Sequence, residues 1–457
     1  MTKAPLVLLV NPWITDFAAY DLWAKPLGLL QLGSLLREGG CGVAYVDCLD
    51  RFDDHTQHRS DVLPGKGRRY GAGKYPRMRI EKPAAYAELP RKYYRHGIHP
   101  QSFISKLQSM SRPDLIWVTS MMTYWYPGVQ QTISALREVF ADVPIWLGGV
   151  YARLCPGHAC ETSGADEVVT LALADLPDKI EAATGFRMKN PSSWRSLADA
   201  PAPALDLQPN LKYAVLLASI GCPFNCPYCA SRALAAGWER LGKERIYAFI
   251  RKWHEDFGLR DFAFYDDALL INADSTLKPA LEKIAERGWD IRFHTPNAVH
   301  VRALTADWCK LLFRSGFTTL RLGLETCNTA KQAEWGGKVD NSMFLRALQD
   351  LVDAGFHESQ VGVYLLCGLP GQSPEEVREA IDLVRTAGAQ PYLSEYSPTP
   401  GSRMWAAAAA LSCYPIEAEP LYHNNTFFAC RRPDFSYADL ACLKAYCAEV
   451  RRSRPQV

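Results

Sequence analysis

No stretch of this chain approaches the ~20 consecutive apolar residues that a membrane-spanning helix needs. No export signal is expected at the start either. The run Leu6 to Val10 is cut short by Asn11-Pro12 and reads as a buried strand. Charge of one sign is also absent. Lys and Arg number 51 against 49 Asp and Glu, a formal net charge of +2, so bulk electrostatics give no pull toward nucleic acid. There is only one C-x2-C pair and no H-x3-H pair, so the ligands of a four-coordinate zinc site cannot be assembled from paired motifs. The 14 cysteines are scattered through 457 residues rather than set out as a disulfide framework. That usage suits reduced thiols and a cytoplasmic location. Apolar residues at 48% and charged residues at 22% give an ordinary globular balance, and the length asks for two or three domains.

Residues 1–185 read as a doubly wound α/β domain. Leu6 to Val10, Val43 to Asp47, Asp114 to Thr119 and Pro144 to Leu147 are strand-like. Pro26 to Glu38 and Pro127 to Phe140 are amphipathic helices between them. Residues 51–112 interrupt the alternation. From Gly65 to His99 there are ten Lys or Arg against two Glu, with Tyr70, Tyr75, Tyr86, Tyr93 and Tyr94 among them. Basic residues interleaved with tyrosines suit a polyanion. A capping excursion or lid with solvated charges accounts for the same residues. Residues 186–212, with Asn190-Pro191-Ser192-Ser193, Asp199 and a Pro-Ala run, read as a stiff linker.

From residue 213 to 400 strand and helix repeat about every 30 to 40 residues. The strands are Tyr213 to Ile220, Asp261 to Tyr265, Ile291 to His294, Thr319 to Gly323, Val361 to Leu366 and Pro391 to Tyr396. Six units make part of a barrel, since eight complete one. Helix Glu239 to Asp256 is the first connection. Residues 401–457 form a C-terminal extension with helices at Met404 to Leu411 and Asp439 to Arg452. Its Cys413, Cys430, Cys442 and Cys447 have loose spacings and read as buried free thiols.

The stretch that organises the chain is Gly221-Cys222-Pro223-Phe224-Asn225-Cys226-Pro227-Tyr228-Cys229. Glycine and proline place it on a loop at the end of the first barrel strand. Three thiolates on one tight loop can hold three irons of a [4Fe-4S] cube and leave the fourth open. Half of a zinc site is the other reading of the C-x2-C pair.

This stretch resembles the signature of the radical S-adenosylmethionine (SAM) superfamily. The resemblance implies that Cys222, Cys226 and Cys229 bind the cluster and that the open iron chelates SAM. The cluster electron then cleaves SAM to a 5'-deoxyadenosyl radical. It also implies that Tyr228 packs near the adenine. Further stretches carry the likeness along the strand ends. Tyr265-Asp266-Asp267 stands where the family holds the SAM amino group, making Asp266 and Asp267 candidates. Asn297 follows the third strand. Arg321-Leu322-Gly323-Leu324-Glu325-Thr326 resembles a G-x-E-[ST] stretch, implying that Glu325 meets the ribose hydroxyls. Gly368-Leu369-Pro370-Gly371-Gln372 resembles a G-L-P-G-Q stretch, implying that Gly368 and Gly371 pass close to adenine. Ser397-Pro398-Thr399-Pro400-Gly401-Ser402 resembles a P-x-P-G-[ST] turn, with Ser397 beside the cofactor.

The first domain resembles the cobalamin-binding domain that precedes the barrel in one subgroup. Ser120 matches a small polar residue after the third strand, and Gly148 and Gly149 match paired glycines after the fourth. Asn11 to Tyr20 contains Asp16 but no histidine, so the D-x-H-x-x-G cobalt ligand is missing. The Tyr124-Trp125-Tyr126 triplet is either a stacking wall or a plug.

The resemblance implies a methyltransferase acting on an unactivated carbon, with a [4Fe-4S] cluster, SAM and cobalamin as cofactors. A rearrangement, cyclisation or oxidation without cobalamin is the alternative. A tRNA methylthiotransferase would need cluster cysteines that Cys41, Cys48, Cys155 and Cys160 do not pattern. The expected partners are a small-molecule or peptide substrate and an electron donor such as flavodoxin or ferredoxin. No catalytic base can be named from the sequence.

Overall fold

The computed structural model describes residues 3–170, 172–189, 196, 200–235 and 237–453. Asn190 to Ser193 and Asp199 of the expected linker lie outside them. Contacts divide the chain into two units, Met1–Lys212 and Tyr213–Val457.

In the first unit, short apolar runs pair in parallel. They are β1 (Leu6–Asn11), β2 (Gly42–Asp47), β3 (Leu115–Val118), β4 (Ile145–Leu147) and β5 (Glu167–Val168). The order across the sheet is β5-β4-β3-β1-β2. This is the doubly wound order 2-1-3-4-5, whose topological switch lies between β1 and β3. Leu115 to Val118 are buried throughout, as a strand covered on both faces requires.

The segment expected as an excursion folds into two small antiparallel sheets. In one, Tyr93–His96 lies between Ile14–Asp16 and Arg77–Ile80. In the other, Gly73–Lys74 lies between Tyr20–Asp21 and Lys66–Gly67. The chain just after β1 is therefore an edge strand of each. The tyrosines there are mostly core rather than surface. Tyr75, Tyr86 and Tyr93 are buried, and Tyr86 and Tyr93 pack with Phe17. Arg51 is buried against Asp21 at 2.8 Å and tethers the second sheet through the carbonyl of Ala72. The Pro-Ala run lies along helix Leu27–Glu38. Gln31 Nε2 donates to the Pro201 carbonyl at 2.6 Å, and Arg37 pairs with Asp206.

The second unit holds one parallel sheet in sequential order: β6 (Ala214–Leu216), β7 (Asp261–Phe264), β8 (Arg292–His294), β9 (Phe317–Glu325), β10 (Val361–Cys367) and β11 (Gln390–Glu395). Helices Lys243–Glu255, Leu277–Arg287, Ala306–Arg314, Asn341–Asp353 and Pro374–Thr386 connect them. This is the six-unit partial barrel. Phe262, Phe264, Phe293 and Phe317 are buried together across three of its strands. Helix starts carry side-chain caps at Thr305, Asp340 and Ser373.

Two expectations change. Glu239–Arg240 is not helical. It pairs with Ser219–Ile220 as a hairpin, and the helix begins at Lys243. Arg240 explains this, because its guanidinium is spent on the carbonyls of Leu269 and Ile271. In the extension, Cys430 and Cys447 are buried, but Cys413 and Cys442 are exposed. Residues five apart are about 140° apart around a helix, so when Cys447 reaches the Pro391 carbonyl, Cys442 faces water.

Candidate functional site

The cysteine loop follows the hairpin strand Ser219–Ile220. Gly221 opens it at φ +74, where an added Cβ would lie 2.0 Å from the Gly237 carbonyl oxygen. Only glycine fits there. Cys226 is buried, Cys222 is half-buried and Cys229 is exposed, and none is in a disulfide. Burial raises the pKa of the Cys222 thiol to about 11, and the charges of Asp267, Cys226 and Cys229 add to the shift. The three sulfurs are thus within electrostatic reach of one another. Among the described residues, no three His, Cys, Asp or Glu side chains converge on a point that one ion could occupy. A zinc ion needs such a point. An iron–sulfur cube instead needs thiolates spread around its corners, and three free thiols on one loop fit it.

The end of the barrel chain clasps this loop. The turn expected at Ser397 to Ser402 is followed by Met404, whose N–H donates to the Pro227 carbonyl at 2.8 Å. Arg403 reaches the Asn225 carbonyl at 3.2 Å. The Ser397 hydroxyl donates to the His423 carbonyl, so it braces the extension.

The two carboxylates after β7 part company. Asp266 is buried. Its oxygens accept from the Ala218 N–H at 3.0–3.1 Å and from the Ser219 hydroxyl at 2.6 Å. Burial raises its pKa to about 6 against these bonds. It ties β7 to the base of the cysteine loop. Asp267 is exposed, and its carbonyl accepts from His300 Nε2 at 3.1 Å. Asn297 is exposed too, with Nδ2 donating to the Tyr265 carbonyl.

Glu325 ends β9 at φ +67, and its Oε1 accepts from Lys338 Nζ at 3.0 Å. Lys338 Nζ stands 5.3 Å from the centre of the Tyr228 ring. Trp335 meets the same ring edge-on at 5.4 Å. Gly368 N–H donates to Gln372 Oε1 at 2.8 Å, and the Phe428 ring packs against the glycine. Gly371 turns the chain at φ +70 with open space around it. Cys226, Tyr228, Glu325 and Lys338 therefore lie together, whereas Asp266 is spent on the base of the cysteine loop and Ser397 on the extension.

Sequence reasoning missed Lys338 and His300. His300 Nε2 is 3.9 Å from Cys222 Sγ, and burial lowers its pKa to about 4. Neither has a spacing relation to the cysteines. The one signal was Gly336-Gly337, two left-handed turns that deliver Lys338.

In the first unit, Ser120 is buried. Its hydroxyl donates to the Gly148 carbonyl at 2.6 Å. Gly149 sits at φ +97, where a Cβ would come 2.2 Å from the Ser120 carbonyl. The pair builds a tight turn at the carboxyl end of β4. Beside it opens a cavity of about 220 Å³ lined by Gly28, Leu29, Trp117, Thr119, Gly148 and Gly149, among others. Trp125 Nε1 donates to Asp16 Oδ2 at 2.7 Å, and Tyr126 stacks on Tyr151. Met121 and Met122 remain exposed.

The family model of the radical SAM superfamily matches residues 216–384. This part of the chain is a radical SAM domain, which in that family works with a [4Fe-4S] cluster and SAM. Its relatives sharpen the picture. An uncharacterized methyltransferase, PH0819, from Pyrococcus horikoshii is 23% identical over 340 residues, 68% of this chain and 72% of that protein. The radical SAM methyltransferase TsrM from Kitasatospora setae, solved with cobalamin and a [4Fe-4S] cluster, superposes with a TM-score of 0.68. The match has 16% identity and covers 97% of this chain and 91% of TsrM. The cobalamin-dependent SAM radical enzyme OxsB, solved with aqua-cobalamin and SAM, gives 0.56 at 13% identity. It covers 99% of this chain but 63% of OxsB. Both likenesses are of fold.

Proposed function

We propose that this enzyme is a cobalamin-dependent methyltransferase acting on an unactivated carbon. One observation carries the reading. A single chain joins a radical SAM domain to a sheet of order 2-1-3-4-5 whose carboxyl edge opens a cavity beside Gly148 and Gly149. Ligands of such sheets bind at that edge. The likeness to TsrM and OxsB along almost the whole chain supports the same pairing.

When bound, the cluster with SAM would supply a 5'-deoxyadenosyl radical, and cobalamin would supply the methyl group. The chain's own part is to hold and orient. Cys222, Cys226 and Cys229 would ligate the cluster. Tyr228 would wall the adenine side, and Glu325 would accept from the ribose hydroxyls. Asp267 and Asn297, the exposed polar groups after β7 and β8, would meet the SAM amino group. Gly371 would give adenine its close approach. Asn11 to Tyr20 has no histidine, and Asp16 there is tied to Trp125. Cobalt would therefore bind without a ligand from that loop.

The structured edge after β1 favours a second reading, radical chemistry without cobalamin. Ile14–Asp16 is paired with Tyr93–His96, and Trp125 covers Asp16. The test is made on protein purified without oxygen, with the cluster rebuilt and cobalamin offered. The absorption spectrum is read after desalting, and 5'-deoxyadenosine and S-adenosylhomocysteine are counted under reduction by a flavodoxin or ferredoxin system. Retained cobalamin with both products is expected. Deoxyadenosine alone, with cobalamin lost, favours the second reading. S-adenosylhomocysteine alone means methyl transfer without hydrogen abstraction.

A further inference from the structure

The pocket of the cysteine loop contains a cation that the proposed function leaves unused. Lys338 Nζ and Glu325 Oε1 are 3.0 Å apart, and both side chains are only 10% exposed. The ammonium lies over Tyr228, the residue just before Cys229 in the loop. Burying an ammonium is costly unless negative charge surrounds it. Burial lowers the Lys338 pKa, yet Glu325, Cys226 and Cys229 together raise it above its ordinary value. The lysine is held charged by a carboxylate on one side and the thiols on the other.

We propose that Lys338 is a positioning residue with two linked tasks: it fixes the Glu325 carboxylate and supplies the positive charge that stabilises the reduced cluster. Cluster potentials follow net charge, hydrogen bonding and solvent exposure. Taking up one electron adds a negative charge. A fixed, buried cation beside Tyr228 of the cysteine loop favours that state. Glu325 offsets part of the effect, so the pair sets the potential together. The inference rests on the cluster assignment and is independent of methyl transfer.

The experiment is an anaerobic redox titration with dithionite, monitored by paramagnetic resonance of the reconstituted, SAM-free enzyme. Iron and sulfide are counted beforehand. Lys338→Met should lower the fraction reduced about tenfold at a fixed potential, about 59 mV for a one-electron couple. Glu325→Gln, which unmasks the lysine, should move the midpoint the opposite way. Lys338→Arg should keep it near wild type. A merely loosened pocket would shift Lys338→Met and Glu325→Gln in the same direction, and that result overturns the proposal. So does an unchanged midpoint in either variant that retains its cluster. If Lys338→Met fails to fold, Glu325→Gln and Lys338→Arg still decide by sign. A wild-type chain that takes up no cluster would overturn the cluster assignment as well, and the iron count separates that case.

Discussion

Cys226 is the buried member of the cysteine loop, and its neighbours Tyr228 and Lys338 wall the pocket. Cys226→Ser should keep the far-ultraviolet dichroism of the wild type, because the loop's carbonyls are held by the Met404 N–H and the Arg403 guanidinium. Iron retention and SAM cleavage should both be lost. A fully loaded, active serine variant would remove Cys226 from the ligand set. Gly149 offers a residue-scale test in the first unit. Gly149→Ala forces a Cβ against the Ser120 carbonyl at φ +97. It should cost roughly 1–3 kcal/mol in urea unfolding. It should also weaken cobalamin retention if the cavity beside it is the binding edge.

At the scale of elements, three of the five connecting helices, those starting at Ala306, Asn341 and Pro374, begin where a side chain satisfies a first-turn N–H group. Asp340 Oδ1 accepts from Met343 N–H at 2.8 Å and starts helix Asn341–Asp353 two residues after Lys338. Asp340→Ala should destabilise the chain by about 1 kcal/mol, read as a lower denaturant midpoint. A neutral result would mean that packing of Phe344, Leu348 and Leu351 holds that helix without its cap. The barrel strands and most helices were legible because apolar runs and caps are local signals. Glu239–Arg240 was not, since its strand pairing depends on Arg240 reaching carbonyls about 30 residues away. In the two small sheets of the first unit, the strands Ile14–Asp16 and Tyr20–Asp21 were hidden for the same reason, because their partners lie about 50 to 80 residues further along the chain.

At the scale of the whole chain, buried ionisable groups set opposing responses to acid. Burial lowers the His96 pKa to about 4 from an ordinary 6.5. Between those values the unfolded chain binds more protons, so stability falls as pH falls from 6.5 toward 4, by at most about 1.4 kcal/mol per pH unit. Asp266, raised from 3.8 to about 6, has the opposite sign. The folded chain binds its proton first, so stability rises as pH falls from about 6 toward 3.8. Melting temperatures taken from pH 7 to 4.5 should therefore decline less steeply in His96→Gln than in wild type. In Asp266→Asn they should decline more steeply. Parallel curves for all three proteins would mean that neither group titrates with folding.

The sequence by itself determined the two α/β halves, the six-unit barrel and the three thiols of one loop. Each follows from short-range order: apolar runs, glycine and proline breaks, and cysteine spacing within nine residues. Only the tertiary structure decided what the polar candidates do. Asp266 and Asp267 are neighbours in the chain, yet one is spent on the backbone of Ala218 and the other faces solvent. Ser120 and Ser397 turn out to be braces. Lys338 reaches Tyr228 of the cysteine loop from a position more than 100 residues further along the chain. A side chain's direction and partners come from packing across the sheet, which residue order does not encode locally.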